Sequence, residues 1–248
     1  MNKVKCIVSY DGTNFSGFQV QPLKRTVQGE IEKALKRIHK GQGIRIYPSG
    51  RTDRGVHAIR QTIHYDTPIK MNEDSWKKAL NALLPEDVYV KEAQIASSSF
   101  HARFSAIEKE YRYIVLNDKE PNLFRRHYVY QFPYALDIDK MQEACQYLEG
   151  EHDFTAFSSA KSTAKGSKVR TLYEASCIQK GSEIMFVFRG NGFLYHMVRI
   201  LVGTLLEVGQ GKREPVNIKG LLEQQDRQQS GKTAPPQGLY LWNVTYSD

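Results

Sequence analysis

Gly50-Arg51-Thr52-Asp53-Arg54-Gly55-Val56-His57-Ala58 lies between two segments that read as strands, Ile44–Tyr47 before it and Gln61–Tyr65 after it. The nonapeptide is therefore the loop that joins two strands. Two glycines bracket it, and glycine permits positive φ or a close approach of backbone to a ligand. Between them the single carboxylate of Asp53 is flanked by the guanidinium groups of Arg51 and Arg54. Neighbouring cations favour the ionised carboxylate and can also grip phosphate. A carboxylate kept charged beside a phosphate-binding surface points to a nucleophile or base acting on nucleic acid. Asp and Gly are also ordinary turn residues, and taken alone the nine residues are more often a plain surface turn.

Working outward, Val4, Cys6, Val8 and Tyr10 alternate and stop at Asp11-Gly12, which predicts an opening strand and a turn. Thr26 is a good N-cap for a helix with Val27, Ile31, Ala34, Leu35 and Ile38 on one face. Lys33, Lys36, Arg37 and Lys40 on its other face read as a solvated stripe. A second helix is predicted near Glu73–Leu84, stopped by Pro85, and a strand over Val88–Ala93. Strand, helix, two strands, helix, strand is the order of an α+β sheet with helices on one face.

Ser97–Ser105 has no period and reads as a junction. Beyond it, strands are predicted at Tyr111–Val115 and Tyr128–Phe132, and a helix from Asp137 to Gly150 with Ile138, Met141, Cys145 and Leu148 inward. Leu172–Ile178 and Glu183–Phe188 read as a strand pair, Phe193–Val208 as an apolar helix, and Leu239–Tyr246 as a last strand. Ser158–Arg170 carries Lys161, Lys165, Lys168 and Arg170 and no acidic residue. It reads as a mobile basic loop suited to phosphate contacts, or equally as a solvated linker.

The 248 residues are 40% hydrophobic, 11% aromatic and 25% charged, a globular balance. A formal charge of +8 and a pI near 9.2 favour an anionic partner, without choosing between nucleic acid and a membrane surface. Cys6, Cys145 and Cys177 lie far apart with no C-x-x-C pair, which argues against structural zinc and against a disulfide framework. Met1–Val4 enters a strand pattern at once, so no signal peptide is expected. The longest apolar run, near Phe193–Leu206, is too short for a membrane span and contains Arg199. A reducing cytoplasm fits these features, and no membrane partner is expected.

Arg199 is the one permanently charged residue between Phe193 and Leu206. On a buried helix it needs a partner, since an unpaired buried charge costs several kcal/mol. Asp53 is the natural candidate, and the alternative is an Arg snorkelling to the helix surface. Tyr111 and Tyr113 alternate with Lys109, Glu110 and Arg112, a pattern that fits a base-stacking platform, although strand tyrosines are usually core packing. Asp53 and His57 stand four apart with no third ligand, so no metal site is expected. The phosphate-loop, dinucleotide, zincin and nucleophile-elbow motifs are all missing. What remains is a carboxylate, an arginine and an aromatic ring, with no cofactor motif.

Across nearly its whole length the chain resembles the TruA-type tRNA pseudouridine synthases. Gly50-Arg51-Thr52-Asp53-x-Gly55-Val56-His57-Ala58 is similar to their catalytic motif, and Tyr10-Asp11-Gly12-Thr13-x-Phe15-x-Gly17-Phe18-Gln19 to their opening. Thr26-Val27-Gln28, the run Phe100–Ala106, the run Gly190–Arg199 and Gly238-Leu239-Tyr240-Leu241 follow in the family's order. The resemblance implies the pseudouridine synthase fold, α+β, with two ferredoxin-like lobes, mainly antiparallel sheets and a basic cleft between them. The lobes would be 1–105, carrying the Asp loop, and 106–248, carrying the tyrosine and the arginine. It implies a homodimer that converts uridine to pseudouridine at positions 38, 39 and 40 of the tRNA anticodon stem-loop. Asp53 would be the nucleophile, Arg199 its partner and Tyr111 the ring stacked on the target base. The base must leave its stack to react, and Arg51 would fill the gap. Arg54, His57, Lys161, Lys165, Lys168 and Arg170 complete the expected tRNA contacts. Arg54 departs from the family, which usually has a small residue such as Ala or Ser there. That departure bears on which uridines are accepted and leaves the reaction class intact. A silent RNA-binding protein and a metal-dependent nuclease using Asp53 and His57 are the competing readings. Chelation would separate the nuclease from an isomerase.

Overall fold

The computed structural model describes residues 1–159 and 166–247. Among them the order is β1 (Asn2–Tyr10), α1 (Val27–Ile38), β2 (Tyr47–Pro48), β3 (His57–Thr67), α2 (Glu73–Asn81) and β4 (Val88–Ala96), then β5 (Ala106–Leu116), β6 (Tyr130–Gln131), α3 (Ile138–Gln146) and β7 (Gly150–Asp153). After these come β8 (Val169–Lys180), β9 (Glu183–Gly190), α4 (Met197–Gly209), α5 (Asn217–Gln224) and β10 (Leu239–Tyr246). The chain divides into two compact units, Met1–Ile107 with Tyr240–Asp248, and Glu108–Leu239.

In the first unit the strand order is β4-β1-β3-β10. β1 runs antiparallel to β3 and β4, with Val4 opposite Tyr65 on one side and Ile95 on the other. β10 lies parallel to β3, Tyr240 beside His57. The alternation of β1 is borne out: Val4, Cys6 and Val8 are sealed from solvent and Tyr10 nearly so. Tyr65 shares that face with Val4, and Trp76 of α2 meets Tyr65 edge-on at 5.5 Å while stacking on His39 at 6.0 Å. Opposite pairs in an antiparallel ladder point the same way, so this ring contact sets α2 on the face where Val4 lies. Thr26 caps α1 as its sequence predicts, its hydroxyl accepting from Gly29 N–H at 3.2 Å. α2 ends at Asn81 and not at Leu84. The Asn81 amide binds both the N–H and the C=O of Val90, at 2.8 and 2.9 Å, so this side chain serves the edge strand β4.

In the second unit β5-β9-β8-β7 are antiparallel, and β6 lies parallel to β5. Ten of the thirteen residues of α4 are buried, as its nearly continuous apolar sequence requires. It starts at Met197, four residues later than the apolar run predicts. His196 adopts left-handed geometry (φ 63°), which a continuing helix cannot contain. β7 has no apolar alternation, and α5 is only eight residues long, so neither announces itself in sequence. The strand predicted at Tyr128–Phe132 shrinks to Tyr130–Gln131.

Candidate active site

Asp53 opens a four-residue turn closed by Val56 N–H to Asp53 C=O at 3.2 Å. Gly55 at its third position has φ 76°, the geometry of a type II turn. The turn is braced from three sides, all within the first unit. Behind it, the Tyr10 hydroxyl lies 2.8 Å from the Thr52 hydroxyl, and burial pushes the phenol up to about 12 against the pull of its bonds to Thr52 and Gln61. Gln61 donates to Gly50 C=O at 2.9 Å and accepts from the Ser49 hydroxyl at 2.6 Å. On the flank, Phe18 N–H reaches Thr52 C=O at 3.0 Å, and Gly12 lies so close that a Cβ there would stand 2.1 Å from Val56 O. At the exit, buried His57 accepts from Gly12 N–H at 3.0 Å, approaches Asp11 Oδ1 at 3.2 Å and stacks on Tyr240 at 4.8 Å. Asp11 Oδ1 also receives Thr13 N–H and its hydroxyl, at 2.9 and 2.6 Å. Arg51 and Arg54 are exposed on either side of half-buried Asp53. The result is a carboxylate held by a rigid, fully bonded frame with two solvent-facing guanidinium groups beside it. Such preorganisation suits a nucleophile or base next to phosphate.

In the second unit Tyr111 is nearly buried on β5 and meets Phe193 edge-on at 4.9 Å. Arg199, half-buried on α4, donates from Nε to Ala234 C=O at 2.7 Å, and Ala234 N–H returns a bond to Arg199 C=O at 3.0 Å. The partner thus includes backbone of segment 230–235, which lies along α4. Gly231 N–H donates to the Thr204 hydroxyl at 3.0 Å, Ser230 donates to Ala156 C=O at 2.7 Å, and Tyr113 donates to Pro235 C=O at 2.7 Å. Gly203 makes this approach possible, because a Cβ there would lie 1.7 Å from Lys232 O. Arg170 donates to the carbonyls of Ser167 and Val169 at 3.0 and 2.6 Å, and Lys168 is half-buried. Lys161 and Lys165 lie outside the described residues.

Arg51, Asp53, Arg54 and His57 are therefore brought together on and beside one turn of the first unit, while Tyr111, Lys168, Arg170 and Arg199 belong to the second. Sequence reasoning left Tyr10, Ser49, Thr52 and Gln61 unassigned, although all four are buried polar groups around the turn. Their signal is faint: Tyr10 ends an otherwise apolar alternation, and Gln61 is a polar residue within β3, followed by buried ones. Among the described residues no group of three or more His, Cys, Asp and Glu is arranged to hold a metal ion. No helix among them is long and apolar enough to cross a membrane.

A family profile described as tRNA pseudouridine synthase matches residues 6–105 and 144–247. The tRNA pseudouridine synthase A of Oceanobacillus iheyensis is 60% identical over 248 residues, covering 100% of this chain and 98% of that protein. That of Anoxybacillus flavithermus is 58% identical and covers 100% of both. A chain in the crystal structure of a Cbf5-Nop10-Gar1 complex aligns with 82% of this chain and 54% of its own, at 14% identity and a TM-score of 0.35, too loose a superposition to bear on the fold. Two long matched segments that together reach into both units, and relatives alike from end to end, make the conclusion direct: the chain belongs to the tRNA pseudouridine synthase family.

Proposed function

We propose that this isomerase converts uridine to pseudouridine at positions 38, 39 and 40 of the tRNA anticodon stem-loop, with Asp53 as nucleophile and without a cofactor. The reaction breaks N1–C1′, turns the uracil and joins C5 to C1′; the C5 proton leaves to solvent and N1 regains one. Atoms and electrons balance within the substrate, so no oxidant or reductant enters. Attack of Asp53 on C1′ would hold the ribose while the uracil turns, and attack by C5 would release the carboxylate again. Removal of a ribose proton by the same carboxylate is the other route open to it. Arg199 is the partner of Asp53 during turnover, and Tyr111 stacks on the uracil. Arg51 takes the space of the flipped base, and His57 serves the substrate through the turn it braces. Arg54, Lys161, Lys165, Lys168 and Arg170 meet phosphates. The working form is a cytoplasmic homodimer.

The observation that carries this reading is the bracing of the Asp53 turn by Tyr10, Gly12, Gln61 and His57. A plain surface turn has no need of so many buried bonds. The test is tritium release from tRNA labelled at uridine C5, in the presence of chelator. Wild type is expected to release tritium, and Asp53→Ala to bind tRNA without releasing it. Binding without release by wild type would leave an RNA-binding protein and no enzyme. Loss of release on chelation would favour metal chemistry.

A further inference from the structure

The segment after β4 folds back over β2 and β3 and builds an aromatic step on the surface of the first unit. His64 on β3, only 2% exposed, is its base. Tyr47 on β2 lies flat on His64 at 5.1 Å and 22°, and His101 meets the same ring edge-on at 4.6 Å. Phe104 in turn lies over His101 at 4.3 Å. The two outer rings face solvent, Tyr47 40% and Phe104 76% exposed. Each has a guanidinium beside it, Arg45 at 5.8 Å from the Tyr47 centroid and Arg103 at 5.7 Å from that of Phe104.

The step is fixed by hydrogen bonds. His101 Nδ1 accepts from the N–H groups of Arg103 and Phe104 at 3.2 and 3.4 Å, and His101 N–H donates to the Ser105 hydroxyl at 3.0 Å. Buried Ala102 donates to His64 Nδ1 at 3.1 Å, and its carbonyl accepts from the Tyr246 hydroxyl at 2.7 Å. Burial and the neighbouring His101 push His64 down to about 4, so the base of the step stays uncharged at neutral pH. Isolated exposed apolar side chains are common and need no function. Two open rings on one rigid base, each with its own arginine, are a different arrangement. Solvent-exposed rings with adjacent cations match an unpaired base and the phosphate next to it. The chain's +8 charge complements the same ligand.

We propose that Tyr47, His101 and Phe104, with Arg45 and Arg103, form an additional RNA-binding step that stacks an unpaired base of the tRNA substrate, other than the uridine undergoing reaction, and holds its phosphate. The inference rests on the tRNA-modifying reading above and extends it. The experiment compares wild type with Phe104→Ala, Phe104→Trp and, as a control, Phe124→Ala, whose ring is 93% exposed in the second unit. Binding of an unmodified tRNA transcript and of single-stranded oligouridylate is measured, together with kcat/KM by tritium release. Phe104→Ala is expected to weaken both RNAs about tenfold, with Phe104→Trp restoring them and Phe124→Ala matching wild type. The thermal midpoint should not move, since the ring faces solvent. RNA binding by Phe104→Ala within twofold of wild type would overturn the proposal. So would a fall in oligomeric state with RNA binding retained, which would make the patch a contact between copies. A wild type that releases no tritium would sink the isomerase reading, while Phe104-dependent oligouridylate binding would still uphold the step.

Discussion

Gly12 shows how a single missing carbon positions chemistry elsewhere in the chain. Its Cα faces Val56 O so closely that a methyl group would stand 2.1 Å from that oxygen, and its N–H is the donor to His57. Gly12→Ala should therefore push the Asp53 turn away from the Asp11–Phe18 loop. The expected result is a fall in kcat/KM of tenfold or more and a stability loss of about 1–3 kcal/mol. Tritium release and a urea titration on the same preparation check both; an alanine variant with full activity would show that the turn does not depend on this contact. The Asp53 motif was legible at this scale because its residue types are chemically loud. The frame was not, because Tyr10, Ser49 and Gln61 acquire their roles only when β1 and β3 pair in register.

At the scale of elements, α4 and segment 230–235 act as one piece around Arg199. Gly203 on the helix lets Lys232 C=O pass, and Thr204 next to it accepts from Gly231. Gly203→Ala would raise intrinsic helix propensity by up to about 1 kcal/mol, yet its Cβ would sit 1.7 Å from Lys232 O. Overpacking against backbone should win, at a net cost of about 1–3 kcal/mol, and should loosen Ala234 from Arg199. Thermal denaturation and tritium release are expected to fall together; a stabilised, fully active variant would contradict the packing argument. The apolar run made α4 easy to foresee, but its start was not, because His196 breaks the helix with a left-handed backbone that no periodicity encodes. α1 starts behind the Thr26 cap and β10 spans Leu239–Tyr246, both as the sequence predicts. β7 and α5 carry neither a cap signal nor a period long enough to read.

For the whole molecule, acid should unfold the chain partly through His64. Folded, this ring is held neutral down to about pH 4, whereas unfolded it takes a proton near its ordinary value of 6.5. The unfolded state therefore binds the extra proton between those limits, and stability falls as pH drops from about 6.5 to about 4, then levels off. The direction of this loss follows from the extra proton that the unfolded chain binds. Urea midpoints measured from pH 7 to pH 4 should slope steeply for wild type and less for His64→Gln; parallel slopes would remove His64 from the account. The return of β10 to the first unit has a consequence for biosynthesis. A ribosome delivers residues 2–96 early, yet the strand that lies beside β3 and puts Tyr240 against His57 is made more than a hundred residues later. Until that strand leaves the exit tunnel, the edge of β3 next to the Asp53 turn lacks its parallel neighbour. The nascent chain thus carries the Asp53 turn in an unfinished frame until β10 has been made and can pair with β3.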